Sequence, residues 1–363
     1  MVKTSYFTSP TKIKVIGLGG AGCNAITRMV HEHIPGVEFI AMDTDSKHLA
    51  VTEAPVRIQI GERTTYGLGA GGDHEIGRKV AEDSRSEIKQ VVAGADFVFI
   101  AAGMGGGTGT GSAPLVAEIA KDGGALTLAM VTKPFSFEGT HRSRIAKEGM
   151  ANMINKVDTL ITVPNDRLFD PGDNEASIGN IFKIADEVLL RAVQAISGVI
   201  VVPGLINLDF ADIRAVMKDA GAAWMSIGRG FGKNRARDAA REALSSPLLD
   251  VPINRAKRVL FNVAGGSDLT LFEVNDAAMI IQQAADPGAN VVFGVSVDSG
   301  IGNEVRLTII ATGFDFRRTP RDFKEKEITR PVKPSINETE LDIPAFLRRS
   351  GSTDKGVSGH YRG

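Results

Sequence analysis

The sequence predicts an α/β protein with a Rossmann-like parallel-sheet domain, a long central helix, a second and smaller α/β domain, and a disordered C-terminal tail. Short apolar runs alternate with helix-like segments through the first half of the chain, as in doubly wound sheets. Two of those runs lead directly into glycine-rich turns. From Ile181 to Ile196, apolar residues recur at three- and four-residue spacing, which predicts a long helix that is buried along one face and ends at Gly198.

Length, charge and cysteine content limit the class of protein. The chain has 363 residues, enough for a large core and two domains. Its formal net charge of −1 predicts no nucleic-acid partner and no direct membrane insertion. A single cysteine, an N-terminus without an apolar signal core and the lack of a long apolar segment predict a cytoplasmic protein that reaches membranes only through a partner. The histidines are scattered, and we expect surface positions for them.

Strands are predicted wherever a short apolar run is bounded by glycine or polar residues. The predicted strands are Ile13–Ile16, Phe97–Ala101, Leu126–Val131, Leu160–Val163, Val259–Val263, Val291–Val295 and Val305–Thr312. In the last of these, apolar residues alternate with Arg306 and Thr308, which predicts a half-exposed sheet.

The first predicted strand runs into a glycine turn, Gly17–Gly22, which is followed by a helix. The turn spells G-x-G-x-x-G, the dinucleotide-binding fingerprint, and Asp43 or Asp45 lies about twenty residues further on. Taken alone, this stretch favours a nicotinamide-dependent oxidoreductase. The signal is weak, because any doubly wound nucleotide domain needs a tight first turn and a close approach to phosphate.

A second glycine loop, Gly103–Ser112, follows the predicted strand Phe97–Ala101. Ser112 is predicted to cap the next helix, with Pro114 in its first turn. An anion at that helix start would meet free N–H groups and the positive end of the helix dipole. The alternative is a flexible Gly/Thr linker. Two phosphate loops in one domain favour a nucleoside triphosphate over a dinucleotide.

The run Gly105–Gly111 resembles the signature loop of the tubulin/FtsZ family of GTPases. The resemblance covers about Lys12 to Gly313 plus a short C-terminal motif, and it is much closer to bacterial FtsZ than to eukaryotic tubulin. It implies a GTPase that binds GTP or GDP with Mg²⁺ and polymerises head to tail into filaments of the cell-division (Z) ring at mid-cell. It also implies that GTP is hydrolysed at the interface between subunits.

The resemblance and the composition together imply the domain boundaries. We expect a disordered leader over residues 1–11, a GTP-binding domain over 12–176, a central helix and connection over 177–204, a C-terminal α/β domain over 205–314, a disordered linker over 315–339, a partner-binding peptide over 340–350 and a tail over 351–363. The linker is rich in charge and proline and cannot bury enough apolar surface to become ordered. The apolar island Leu341–Arg349 resembles the family's C-terminal peptide, which implies docking of membrane-anchor and division-regulator proteins.

The resemblance places nucleotide contacts in several loops of the first domain. The phosphate-binding residues that it implies are Gly20, Ala21, Gly22, Cys23, Asn24, Ala70, Gly71, Gly103, Gly105, Gly106, Gly107, Thr108 and Gly109. It implies Glu138 at the ribose, Arg142 at the phosphate and sugar, and Asn165 at the guanine edge. Spacing alone leaves other interpretations open: a surface turn around Ala70, an exposed ion pair for Glu138 and Arg142, and an Asx-turn for Asn165. Cys23 is expected to be a packed small residue and not a redox centre.

Phe182 and Asp186 lie one turn apart near the start of the long helix, so they can stack on a base and accept hydrogen bonds from it. A carboxylate suits the two donors of guanine and repels N1 of adenine, which favours GTP over ATP. Beyond the helix, the pattern N-x-D-x-x-D at Asn207, Asp209 and Asp212 is compatible with a simple helix cap and an acidic first turn. The resemblance implies instead that these residues are catalytic.

Two other functions remain as alternatives at this stage. One is an NAD-dependent oxidoreductase, which rests on the first glycine turn alone. The other is a GTP-binding scaffold without hydrolysis, which requires Asp209 and Asp212 to be inert. The nucleotide that stabilises the protein against heat distinguishes the oxidoreductase from the two guanine-nucleotide binders.

Overall fold

The computed structural model describes residues 11–168, 178–201, 209–248, 251–297 and 300–314. Several predicted features fall outside these ranges. They are Asn207, residues 1–10 of the leader, the linker over 315–339, the partner-binding peptide with Leu341–Arg349, and the tail over 351–363. What the sequence predicts for them stays a prediction.

Strands and helices alternate along most of the described chain. The strands are β1 (Ile13–Leu18), β2 (Val37–Asp43), β3 (Val56–Gln59), β4 (Phe97–Gly103), β5 (Leu126–Lys133), β6 (Thr159–Pro164), β7 (Gly221–Phe231), β8 (Arg258–Gly265), β9 (Asn290–Val297) and β10 (Glu304–Thr312). The helices are α1 (Gly19–His31), α2 (Ser46–Val51), α3 (Glu62–Thr65), α4 (His74–Asp83), α5 (Arg85–Val92), α6 (Thr108–Asp122), α7 (Thr140–Met153), α8 (Ile178–Val201), α9 (Phe210–Met217), α10 (Arg235–Ser245) and α11 (Leu271–Ala284). Short 3-10 helices lie at Ser136–Glu138, Asn165–Arg167, Gly232–Asn234 and Ile253–Arg255.

The strands form a 10-stranded sheet in the order β3-β2-β1-β4-β5-β6-β7-β10-β8-β9. Neighbours from β3 to β7 are parallel, whereas β10 is antiparallel to both β7 and β8. Parallel strands place their carboxyl ends at one edge of the sheet. The strand order changes direction between β1 and β4, and doubly wound sheets bind ligands at the carboxyl ends there.

Helices cover both faces of the parallel part of the sheet. Helices α1, α8 and α9 bury their apolar residues on one face, for example Met29 and Ile213. Helices α4 to α6 bury theirs on the other, for example Val80 and Val116. The loops that carry the predicted site residues lie at the ends of the strands, beyond these two apolar layers.

The long helix α8 is the predicted central helix. Ala185, Leu189, Ala192 and Ile196 are buried, as the spacing predicts. Leu189, Ala192 and Ile196 belong to the same apolar cluster as Ile310 of β10, so α8 packs against strands from both halves of the chain. No helix among the described residues combines the length and the apolar character needed to span a bilayer.

Three predictions about where helices begin or end are wrong. Helix α6 begins at Thr108, within the glycine loop, so Ser112 lies inside it and donates its hydroxyl to the carbonyl of Thr108. Pro114 is likewise inside this helix and not in its first turn. Helix α8 continues past Gly198 to Val201, because a single glycine weakens a helix by only about 1 kcal/mol.

Strand β10 is not half-exposed. Thr308 and Ile310 are buried together with the residues that alternate with them. The reason is that α10 and α11 cover one face of this part of the sheet and α8 packs against the other.

Candidate nucleotide-binding site

A cavity of about 360 Å³ opens at the carboxyl ends of the parallel strands. Its wall consists of the turns after β1, β4, β5 and β6 together with the start of α8. The predicted site residues that line it are Gly20, Ala21, Gly103, Gly106, Gly107, Thr108, Gly109, Glu138, Arg142, Asn165, Phe182 and Asp186. The fold therefore brings residues from distant parts of the chain to one place.

Two helix N-termini meet at one end of the cavity. Helix α1 begins at Gly19 and α6 at Thr108, and the first N–H groups of a helix have no partner within it. Neither helix has a side chain that caps these groups. The two turns pack closely together. Gly19 has a φ of +67°, and a Cβ at this position would lie only 2.9 Å from the nitrogen of Gly109. Paired N-termini of this kind are suited to phosphate groups.

Bare backbone leaves room for a ligand at this end. Among the described residues, a Cβ on Gly106 would meet no atom within 4 Å, and one on Gly20 would meet only His48, at 3.9 Å. Both glycines line the cavity. A ligand can therefore approach the main chain at these two glycines more closely than it could if either residue carried a side chain.

The loop around Ala70 packs behind the second glycine loop. A Cβ on Gly107 would lie 2.8 Å from the Cβ of Ala70, which is buried. Gly71 follows with a φ of +60° and no atom near its missing Cβ. Gly105 donates its N–H to the hydroxyl of Thr110 at 2.9 Å and so fixes the loop from within. Among the described residues, Ala70, Gly71 and Gly105 are not part of the cavity wall.

The opposite end of the cavity carries an aromatic ring and a buried amide. Phe182 is 42% exposed and meets Phe135 edge-on, with ring centroids 5.4 Å apart. Asn165 is buried, and its Oδ1 has no hydrogen-bond partner among the residues that the structure describes. Buried polar atoms are nearly always paired, so an unpartnered amide oxygen in a cavity points to a ligand with a donor.

Asp186 is buried at the same end and forms an ion pair with Arg28 of α1, with 2.9 Å between Nε and Oδ2. Burial raises the pKa of the Asp186 carboxyl above its ordinary value, and the Arg28 guanidinium opposes this shift. Sequence analysis missed Arg28, because nothing in the local pattern distinguishes it from other basic residues on helices.

Glu138 and Arg142 form the ion pair that spacing alone suggests, and both line the cavity. Glu138 is held further by the N–H of Phe135, which donates to its Oε1 at 2.8 Å. Arg142 is more than half exposed. The pair therefore presents a fixed carboxylate and an accessible guanidinium at the rim.

Three predicted residues of the first loop, Gly22, Cys23 and Asn24, do not line the cavity. A Cβ on Gly22 would collide with the carbonyl of Ala101, so this glycine allows α1 to pack on β4. Cys23 is fully buried, and burial raises the pKa of its thiol. Asn24 faces His48, with 3.0 Å between Oδ1 and Nε2.

Asp209 and Asp212 lie at the other edge of the sheet. Both are exposed, and Asp209 occupies the N-cap position of α9 without using its side chain to cap it. The neighbouring ring of Phe210 contacts Phe97, the first residue of β4, with centroids 6.1 Å apart. Neither carboxylate forms an ion pair within the described part of the chain.

Comparison with known proteins identifies the family. Residues 12–173 match the model of the Tubulin/FtsZ family, GTPase domain, and residues 221–315 match that of the FtsZ family, C-terminal domain. A solved structure described as an empty FtsZ dimer from M. jannaschii is 44% identical, covers 84% of this chain and 89% of its own, and superposes with a TM-score of 0.81. This chain belongs to the FtsZ family.

Two further solved structures are similar to this chain. A tryptophan-to-tyrosine mutant of FtsZ from M. jannaschii is 45% identical over 84% of this chain and 91% of its own, with a TM-score of 0.81. CetZ1 from Haloferax volcanii, solved with GDP, is 22% identical over 84% of this chain and 95% of its own, with a TM-score of 0.73, and so shares the fold. The predicted fold class, the family and GTPase activity are confirmed, and the oxidoreductase alternative is not favoured. A GTPase domain binds guanine nucleotide.

Proposed function

We propose that this FtsZ-family GTPase assembles head to tail into filaments of the cell-division ring, in the cytoplasm at mid-cell, and hydrolyses GTP between two copies. The observation that carries the proposal is the position of Asp209 and Asp212 at the sheet edge opposite the cavity. The M. jannaschii relative is described as an FtsZ dimer, which agrees with assembly between copies.

Strand β4 gives the scale of this separation. It has 7 residues, and strands rise about 3.3 Å per residue, so Phe97 and Gly103 are about 20 Å apart. Gly103 lines the cavity, whereas Phe97 contacts the residue next to Asp209. A group that activates a water must come within about 3 Å of it. One molecule therefore does not bring its own carboxylates to its own nucleotide.

A second copy removes this difficulty. When the edge that carries Asp209 and Asp212 covers the cavity of the next copy, their carboxylates reach the terminal phosphate and position the attacking water. The contact joins two different surfaces, so repeating it produces an open filament. The N–H groups at the starts of α1 and α6 stabilise the negative charge that develops on the phosphate.

Asn165 and Asp186 select guanine over adenine. The Oδ1 of Asn165, which has no partner within the described ranges, and the carboxylate of Asp186 are acceptors at the base end of the cavity. Guanine offers N–H donors at N1 and at its exocyclic amine, whereas adenine has an acceptor at N1. Phe182 provides a partly exposed ring on which the base stacks.

Mg²⁺ is proposed to bind together with the triphosphate and to neutralise part of its negative charge. The carboxylates of Glu138 and Asp186, which line the cavity, already contact Arg142 and Arg28. Phosphate oxygens and water would therefore supply most of the ligands, as is usual for Mg²⁺ at nucleotides.

Membrane-anchor and division-regulator proteins are proposed to dock on Leu341–Arg349.

Dilution tests the proposal. Specific GTPase activity should rise with protein concentration and vanish below a threshold, because the complete site exists only between copies. Asp212→Ala should retain GTP binding and lose hydrolysis. Activity per molecule that stays constant on dilution to concentrations where filaments cannot persist would refute the shared site.

A further inference from the structure

Cys23, Asp43 and His48 form a cluster behind the first glycine turn. One ligand atom from each lies within 4.8 Å of the others. Cys23 and Asp43 are buried, and the side chain of His48 is 27% exposed. Thiolate, imidazole and carboxylate are the donor groups of zinc sites. We propose that this cluster binds a divalent transition-metal ion of the Zn²⁺ class, a function beyond GTP hydrolysis.

The orientation of His48 supports a cation between it and Asp43. Its Nε2 lies 3.0 Å from Oδ1 of Asn24, and its Nδ1 lies 3.1 Å from Oδ2 of Asp43. When Nε2–H donates to the amide oxygen, the lone pair of Nδ1 points at a carboxylate oxygen. In that neutral tautomer two acceptors face each other, and the repulsion is removed either by a proton, which makes an imidazolium–carboxylate ion pair, or by a metal ion between them.

A bound metal satisfies both acceptors. Nitrogen and oxygen ligands about 2.0–2.1 Å from a tetrahedral ion are about 3.3 Å apart, close to the spacing of His48 and Asp43. Metal-binding histidines usually donate their other ring N–H to an oxygen that fixes the ring, which is the position of Asn24. A water reaching the exposed side of His48 would complete the coordination.

Cys23 supplies the second negative charge of the proposed site, beside the carboxylate of Asp43. Its Sγ lies 3.8 Å from the carbonyl oxygen of Met42 and 3.9 Å from that of Gly17. A divalent ion bound at the sulfur stabilises the thiolate form of the cysteine. On binding, the sulfur–metal bond forms and the thiol proton leaves to solvent, so the ion with one thiolate and one carboxylate is neutral.

Co²⁺ is the probe that tests the site. The full-length chain, stripped of metal and nucleotide, is titrated with Co²⁺. Because Cys23 is the only cysteine, a thiolate-to-cobalt charge-transfer band can arise only from this residue. We expect the band to saturate at equimolar metal with release of a proton, and Zn²⁺ to displace Co²⁺ and abolish the band. Absence of the band in the native chain would overturn the proposal.

Variants establish that the three residues act together. Cys23→Ser should lose the band, and His48→Gln or Asp43→Asn should lower the affinity for Co²⁺ at least about 10-fold, as loss of a ligand or its support does. His33→Asn, which changes an exposed histidine beyond the end of α1, is the control and should leave the titration unchanged.

The variants of His48 and Asp43 keep the test decisive if Cys23→Ser fails to fold. A band with undiminished affinity in both His48→Gln and Asp43→Asn would overturn the proposal, since the thiol would then bind cobalt by itself. Because the titration contains no nucleotide, its result is independent of whether GTP is hydrolysed between copies.

Discussion

Replacing Arg28 by Met removes the ion pair with Asp186 and so measures how much that pair contributes to the stability of the fold. Removing one member of a fully buried pair costs about 3–5 kcal/mol of stability, whereas exposed pairs contribute about 0–1 kcal/mol. Asp186 is buried, but the side chain of Arg28 is 37% exposed, so solvent screens the interaction. We therefore expect Arg28→Met to lower the free energy of unfolding by about 1–2 kcal/mol at pH 7.

The cost of this variant should depend on pH. Burial places the folded-state pKa of Asp186 above its unfolded value, so the folded state retains its proton more strongly and stability falls as the pH rises through that interval. Loss of Arg28 raises the pKa of Asp186 further. The destabilisation by Arg28→Met should consequently be largest at neutral pH and smallest near about pH 4, where the carboxyl is protonated more readily.

Urea unfolding of four proteins measures this effect: the parent, Arg28→Met, Asp186→Asn and the double variant. Asp186→Asn removes the charge, so Arg28→Met should cost little in that background. Arg78→Met is the matched control, because Arg78 pairs with Glu75 on the exposed surface, and it should leave the free energy of unfolding nearly unchanged. A cost for Arg28→Met that is the same at both pH values, or in both backgrounds, would refute the reasoning.

Three further predictions concern the base, the C-terminal peptide and the glycine loop. Asp186→Ala should reduce the preference for GTP over ATP, measured as thermal stabilisation by each nucleotide; equal stabilisation of the parent by both would contradict guanine selection. Deleting residues 341–363 should preserve hydrolysis and filaments but abolish co-sedimentation with anchor-coated vesicles; a truncated chain that still co-sediments would place the docking peptide elsewhere. Gly77→Ala should lower the free energy of unfolding by about 1–3 kcal/mol in urea, because its Cβ would collide with the backbone of Gly107. Gly179→Ala, whose added Cβ has no described atom within 4 Å, is its control, and equal effects of both would contradict this packing.

Local patterns were sufficient for much of the fold. Strands such as β4 are apolar runs bounded by glycine, and the buried face of α8 follows helical spacing, so both depend on nearby residues only. The glycine turns after β1 and β4 also predict the end of the sheet at which the cavity lies. Parallel strands bring such turns together whatever the details of packing.

Features that depend on distant residues were not predictable. Strand β7 contains Gly228 and Gly230, which a local pattern disfavours in a strand; they are required because a Cβ on either would collide with the backbone of α10. The ion pair of Arg28 with Asp186 joins two helices far apart in the chain. The start of α6 was misplaced because the helix begins at Thr108 among glycines that usually disfavour helices.

The most direct test of catalysis between copies is to mix two variants that are each inactive. Asp212→Ala keeps its cavity but lacks a carboxylate for its neighbour. Gly106→Leu keeps Asp209 and Asp212, and its added side chain enters open space at the cavity wall, so it should fold but exclude GTP. A shared site predicts that the mixture hydrolyses GTP well above the sum of the separate variants. A mixture no more active than that sum would contradict the account.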